Sequence, residues 1–131
     1  MSTISKFNQK ASAETDGEHQ IQLDLLRTLC AAARDNASPA LVSEILEQLI
    51  SYSEAHFMSE ELLMRLKSYD DYEAHVTDHI RMMDTLGDMA SAHASGISIL
   101  VSDQAASALE FIGNHIATRD QHFADFMGSE K

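Results

Sequence analysis

Two pairs of residues with metal-binding side chains stand four positions apart in the chain: His56 with Glu60, and His75 with His79. Four residues turn an α-helix through about 400°, so both members of each pair project from one face of a helix. The pairs therefore predict helices that direct imidazole and carboxylate groups into a shared core.

Three further residues of the same types extend this candidate site: a lone His19, and His115 placed five positions before Asp120. Residues five apart on a straight helix point about 140° apart, so we expect His115 and Asp120 to reach different parts of one cluster. The seven candidate ligands are His19, His56, Glu60, His75, His79, His115 and Asp120.

This set of ligands favours iron over zinc. Seven nitrogen and oxygen ligands exceed the roughly four that a closed zinc site takes, and imidazole mixed with carboxylate suits iron. A pair of ions needs bridging ligands, and a carboxylate can give one oxygen to each metal whereas an imidazole cannot. Glu60 and Asp120 are therefore the predicted bridges between two iron ions.

Long helices are expected because only one proline and five glycines interrupt the chain. Residues 1–15 are polar and are expected to form an N-terminal arm. Asp16 is expected to cap the first helix, and Ser38 followed by Pro39 predicts the start of a second helix over 39–66.

The second half of the chain carries two more sets of helix signals. The Asp70–Asp71 pair favours the N-terminus of a third helix, which Gly96 can end in a left-handed conformation. The Ser102–Asp103 pair is expected to open a fourth helix that stops at Gly128. Residues 16–128 are therefore predicted to form an all-α, up-down-up-down antiparallel four-helix bundle.

Composition limits the remaining possibilities. The 131 residues are expected to form a single domain, 1–131, and the formal net charge of −12 argues against nucleic acid and anionic membranes as partners. No apolar run of membrane-spanning length and no signal segment is evident, so a cytoplasmic protein is expected. The single cysteine, Cys30, excludes an internal disulfide framework and is expected in the core.

Taken in order along nearly the whole chain, four fragments resemble the hemerythrin family. They are Asp16-Gly17-Glu18-His19, His56-Phe57-Met58-Ser59-Glu60-Glu61-x2-Met64, His75-x3-His79, and Phe111-Ile112-x2-His115-Ile116-x3-Asp120. The resemblance implies a non-haem di-iron centre that binds dioxygen reversibly.

The resemblance also implies a division of the ligands between the two iron ions, which an oxo or hydroxo group would bridge together with the two carboxylates. One iron would take three histidines: His75, His79 and His115. The other would take His19 and His56 and would keep an open position, where dioxygen is expected to bind.

Four apolar residues match family positions that line the dioxygen pocket: Phe57, Phe111, Ile112 and Ile116. The family usually has an apolar residue, often leucine, three places after the first histidine, whereas this chain has Gln22. Two alternatives stay open for Gln22: its amide faces the pocket near the open iron, or it turns toward solvent.

Two histidines fall outside the predicted ligand set. His93 lies fourteen residues beyond His79, about 21 Å along the helix axis, so it is expected at the end of the bundle, away from the metals. His122 follows His115 by seven residues and is expected to face inward, either packed in the core with a hydrogen bond or supporting the site, for example as a proton relay.

A dioxygen carrier is the expected function, for storage, transport or delivery, and an enzyme is not expected. Carboxylate-rich di-iron enzymes use Glu-x-x-His pairs inside similar bundles. The chain contains no Glu-x-x-His, and its five candidate imidazoles would stabilise ferrous iron better than carboxylates would. We expect a monomer whose oxygen-receiving partner is unknown. The alternatives are an oxygen or redox sensor and an oxidase or peroxide-reducing enzyme.

Overall fold

The computed structural model describes residues 3–129, which are almost entirely helical. The helices are α1 (Thr3–Arg34), α2 (Pro39–Leu66), α3 (Tyr72–Ala94), α4 (Ser98–His115) and α5 (Gln121–Gly128), with a π-helical segment (Ile116–Asp120) between α4 and α5. Because α4, the π-helical segment and α5 follow one another without a loop, they form the fourth helix of the bundle.

Short connections force consecutive helices to run antiparallel, and each helix packs against its two neighbours around the bundle, with α1 closing the ring against α4. The main core lies between all four helices and includes Leu26, Leu49, Leu86 and Ala108. The predicted up-down-up-down bundle is confirmed. None of the helices between residues 3 and 129 is long and apolar enough to cross a membrane.

Local capping signals set the ends of the second and third helices. Ser38 Oγ accepts a hydrogen bond from the Leu41 amide at 3.3 Å, and Pro39 occupies the first helical position, so the bounds predicted for the second helix are confirmed. Gly96 follows the third helix with a φ of 75°, a left-handed conformation in which a side chain would be strained.

Two predicted helix starts are wrong. The first helix begins at Thr3 instead of Asp16, so residues 3–15 continue the helix rather than forming an irregular arm. This stretch is held by contacts distant in sequence: Asn8 is buried, and its Nδ2 donates a hydrogen bond to the Met127 carbonyl at 2.9 Å.

The fourth helix begins at Ser98 instead of the Ser102–Asp103 pair. The first turn of α4 is secured by packing, because Val101 is buried against Ala33 and Ala92 at this end of the bundle. A tertiary contact therefore extends the helix beyond the local start signal at the Ser102–Asp103 pair.

Candidate metal centre

All seven candidate ligands are buried together toward one end of the bundle. They are His19 from α1, His56 and Glu60 from α2, His75 and His79 from α3, His115 from the end of α4, and Asp120 from the π-helical segment. The structure thus brings every predicted ligand into one cluster.

The donor atoms fall into two groups, each compact enough to surround one metal ion. His75, His79, His115 and Asp120 form the first group, and His19, His56 and Glu60 form the second. Within each group, the possible ligand atoms all lie within 4.8 Å of one another. The division follows the helices, because α1 and α2 supply one group while α3 and the fourth helix supply the other.

The carboxylate of Asp120 faces both groups. Its Oδ1 lies 3.1 Å from His115 Nε2 and 3.5 Å from His75 Nδ1, whereas its Oδ2 lies 3.0 Å from His19 Nε2. One oxygen is therefore directed to each group, which is the arrangement that a bridging carboxylate requires.

Glu60 also lies between the groups. Its Oε1 is 3.3 Å from His56 Nε2 and 3.3 Å from His79 Nε2, which belong to different groups, and its Oε2 is 3.1 Å from His19 Nε2. The two carboxylates thus stand between the same two sets of imidazoles, as predicted bridges should.

Several inward-facing polar atoms of the cluster have no hydrogen-bond partner although they are fully buried. These atoms are His56 Nε2, Glu60 Oε1, His75 Nδ1, His79 Nε2, His115 Nε2 and Asp120 Oδ1. These nitrogens and oxygens face one another at 3.1–3.5 Å without forming hydrogen bonds. An unpaired buried polar group costs about 1–3 kcal/mol, so the cluster would be strongly unfavourable without a further partner. Metal cations would supply that partner, and the mixed imidazole and carboxylate donors fit iron.

Hydrogen-bond acceptors outside the cluster bind the ring nitrogens that point away from its centre. The Nδ1–H of three histidines donates to a carboxylate: His56 to Glu18 at 2.8 Å, His79 to Glu61 at 2.9 Å, and His115 to Asp78 at 2.9 Å. In His75 the ring is reversed, and Nε2–H donates to the Arg119 carbonyl at 3.0 Å. Such bonds fix the ring orientation and leave the other nitrogen deprotonated toward a metal.

The sequence predicted no role for these outer carboxylates, although Glu18 and Glu61 stand in the fragments that match the family. Each stands next to a predicted ligand in the chain: Glu18 precedes His19, Glu61 follows Glu60, and Asp78 precedes His79. Each nevertheless supports a histidine on a different helix. The adjacency was a usable signal, but 21 acidic residues in the chain made these three hard to single out.

Electrostatics in the cluster favour a positive charge at its centre. Burial alone would lower the pKa of His19, but hydrogen bonds to Asp120 and Glu60 outweigh it and raise the pKa to about 10. Burial would raise the pKa of Asp120, but His115 and His19 hold it well below its usual range. Without metal, a proton on His19 therefore balances the carboxylates, and metal cations would take over that role.

The π-helical segment explains how His115 and Asp120 meet. A π-helical turn bonds each residue to the fifth one along, and here the Gln121 amide donates to the Ile116 carbonyl. The wider turn brings residues five apart to nearly the same side, so the straight-helix expectation for this pair is wrong. The same change turns His122 outward: it is exposed, and Phe123 takes the buried position.

The predicted pocket residues occupy different surroundings. Phe57 is buried and stacks on His79 with ring centroids 4.1 Å apart, and Ile112 is buried in the main core. Phe111 is partly exposed beneath the Arg81 guanidinium, which lies 4.9 Å from its ring centroid. Ile116 lines a small cavity of about 40 Å³ that reaches the cluster from the side of α5.

Gln22 does not turn toward solvent. Its side chain is buried, and its Nε2 donates a hydrogen bond to the buried Ser53 Oγ at 2.9 Å. His93 lies at the far end of the bundle, as predicted, where its Nε2 is 3.0 Å from the Pro39 carbonyl oxygen. Cys30 is half-buried and packs against the main core.

Comparison with known proteins identifies the family of this chain. The family model described as the hemerythrin HHE cation binding domain matches residues 11–126. The chain belongs to the hemerythrin family. Hemerythrins bind dioxygen at a di-iron centre, and the two buried groups of imidazole and carboxylate donors could hold the two metal ions.

Individual hemerythrins are similar over much of their length. A bacteriohemerythrin from Methylococcus capsulatus (strain Bath) is 29% identical over 109 residues, covering 81% of this chain and 80% of the relative. A bacteriohemerythrin from Stenotrophomonas maltophilia is 28% identical over 111 residues, covering 84% and 71%. A myohemerythrin from Theromyzon tessulatum is 37% identical over 84 residues, covering 63% and 62%. No solved structure gives a significant match.

Proposed function

We propose that this hemerythrin binds dioxygen reversibly at a di-iron centre held by the seven buried ligands, and that it acts as a store or carrier of dioxygen. His75, His79 and His115 would hold one iron, and His19 and His56 the other, with Glu60 and Asp120 bridging. The unequal division of histidines supports this proposal most directly: with both carboxylates shared, the first group offers five protein ligands and the second offers four.

An iron with fewer protein ligands keeps room for an exogenous ligand. Six positions are usual for iron with nitrogen and oxygen ligands, so a shared oxygen bridge would fill the three-histidine iron and leave one position at the two-histidine iron. When bound, the reduced iron pair supplies the electrons that hold dioxygen. The protein supplies the ligands, their orientation and the surroundings of the open position.

The outer carboxylates and the apolar walls have separate tasks in this proposal. Glu18, Glu61 and Asp78 hold their imidazoles by one nitrogen and so keep the other directed at a metal. Phe57 is buried and stacks on His79, which limits the access of water from that side, and Ile112 is buried in the main core. A dry site that holds its ligands rigidly favours release of dioxygen over its further reduction.

A carrier without enzymatic activity is proposed for this chain, in line with the dioxygen-binding character of the family. The absence of any Glu-x-x-His pair from the sequence supports this choice. A single domain, a monomeric state and a cytoplasmic location stay predictions from the sequence.

An optical experiment tests the proposal. Protein loaded with ferrous iron and reduced without air should gain a charge-transfer band on exposure to air and lose it under vacuum, through repeated cycles. Elemental analysis should give two iron atoms per chain, since each of the two groups of candidate donor atoms is compact enough to surround one ion. Binding that cannot be reversed, or sustained turnover of peroxide with a reductant, would contradict the carrier function.

A further inference from the structure

One layer of the core next to the metal centre is polar on one side and apolar on the other. Gln22 follows His19 by three positions in α1, and Ser53 precedes His56 by three positions in α2. Because the two helices run antiparallel, both steps move about 4.5 Å in the same direction along the bundle. The hydrogen bond between Gln22 and Ser53 confirms that these two side chains meet at this level.

The residues on the opposite side of this layer are found by counting three positions from the histidines of α3 and α4. Met82 follows His79 by three positions in α3, and Ile112 precedes His115 by three positions in α4. Both are almost fully buried in the main apolar core. The layer therefore offers a thioether and a hydrocarbon beside the three-histidine group, and an amide and a hydroxyl beside the two-histidine group.

The polar pair has hydrogen-bonding capacity beyond the bond that joins it. A glutamine amide nitrogen carries two hydrogens, and Ser53 Oγ accepts only one of them. Gln22 is 1% exposed and Ser53 is fully buried, so solvent does not readily supply further partners. A buried amide with unused donor capacity is costly unless an acceptor reaches it.

We propose that the Gln22–Ser53 pair donates a hydrogen bond to a small anionic ligand bound at the two-histidine iron. The inference rests on the proposed function, because the proposed function assigns the open coordination position to the two-histidine iron, whose histidines come from α1 and α2. It adds a preference for one class of ligand. Small anions with a hydrogen-bond acceptor remote from the metal bind more tightly to this protein than to a variant with an apolar residue in place of Gln22. Gln22 carries the donor, and Ser53 orients it.

Azide is a suitable probe, because it is a small anion with an acceptor at its far end. Its affinity for the oxidised, iron-loaded full-length protein is measured by optical titration. Gln22→Met keeps an unbranched side chain of similar length but removes the donor, and it should weaken azide binding about fivefold, the value of one net hydrogen bond. Ser53→Ala should produce a smaller loss in the same direction.

A second glutamine provides the matched control. Gln104 is partly buried in α4, eleven residues before His115, or about 16 Å along the helix axis. Gln104→Met should leave azide affinity unchanged. Thermal unfolding of the metal-free proteins gives an independent readout: a pair that only ties α1 to α2 would change unfolding in the Gln22 and Ser53 variants without changing azide affinity, and that result would overturn the inference.

The outcomes separate this inference from the proposed function. Wild-type protein that takes up no iron, or that does not bind dioxygen, would contradict the proposed function. Wild-type protein that does both, while Gln22→Met binds azide equally well or more tightly, would overturn only the role of Gln22. If Gln22→Met fails to take up iron, Ser53→Ala decides, and unchanged azide affinity in that variant counts against the pair.

Discussion

His79 and His93 lie on the same helix, but their surroundings differ in the two ways that separate a metal ligand from an ordinary histidine. His79 is buried, its Nδ1–H donates to Glu61, and its Nε2 forms no hydrogen bond. His93 is partly exposed, and its Nε2 lies 2.8 Å from Ser43 Oγ and 3.0 Å from the Pro39 carbonyl oxygen. A carboxylate behind the ring and a buried nitrogen without a hydrogen bond in front distinguish the candidate ligand His79 from His93, although both are histidines of one helix.

The largest effect is expected from a change in Asp120, the carboxylate that lies between the two groups of donor atoms. Asp120→Ala should lose both irons, because no imidazole can replace a carboxylate shared by two ions. Binding of dioxygen should disappear with the metal. The extra stability that iron confers on the folded protein should also vanish, so thermal unfolding with and without a chelator should become alike.

His93→Ala is the matched change at the other end of the bundle. Elemental analysis should find its iron content equal to that of the wild type. If His93→Ala empties the site while Asp120→Ala retains both irons, the assignment of ligands is wrong.

An intermediate effect is expected for the carboxylates behind the rings. Asp78→Asn keeps the shape of the side chain but weakens the hydrogen bond from His115 Nδ1, and it should lower iron affinity about 10–100-fold. Competition with a chelator of known affinity measures this loss. Glu44→Gln, at an exposed position of α2 twelve residues before His56, should have no effect. Equal affinities for the Asp78 variant and the wild type would mean that the outer carboxylates do not orient the ligands.

The smallest expected effect concerns loss of the oxygenated form. Gln22→Leu restores the apolar residue usual in the family and removes a polar group that can attract water or protons to the open iron. Autoxidation should slow several-fold, since one net hydrogen bond of about 1 kcal/mol corresponds to about fivefold. Half-lives are compared at one pH and temperature. Equal half-lives would show that the buried amide does not influence this reaction.

Features that depend on neighbouring residues in the chain were predictable from the sequence. The second helix was predicted over its full length, because Ser38 and Pro39 form a local start signal. The ligand pairs were predicted because residues at an i, i+4 spacing project from the same face of a helix. The start of α1 was missed, because residues 3–15 are stabilised through Asn8 and Met127, which are 119 positions apart.

Details that depend on tertiary geometry were predicted less well. Gln22 is a polar residue and was as easily placed in solvent as in the core; its partner Ser53 lies on another helix and is not visible from local sequence. The π-helical segment was missed because a regular helix was assumed between His115 and Asp120. The five-residue spacing itself was the available signal, since a π-helical turn brings such residues together.

The π-helical segment also sets the rotational phase of everything that follows it. A regular α-helix through Ile116–Asp120 would turn α5 about its axis, so that Phe123 and Met127 would leave the core and His122 would enter it. Since Met127 accepts the bond from Asn8, the phase of α5 decides whether the start of the chain can dock. A single residue inserted between His115 and Asp120 would therefore disturb the candidate iron ligands and the docking of Asn8 on Met127 together.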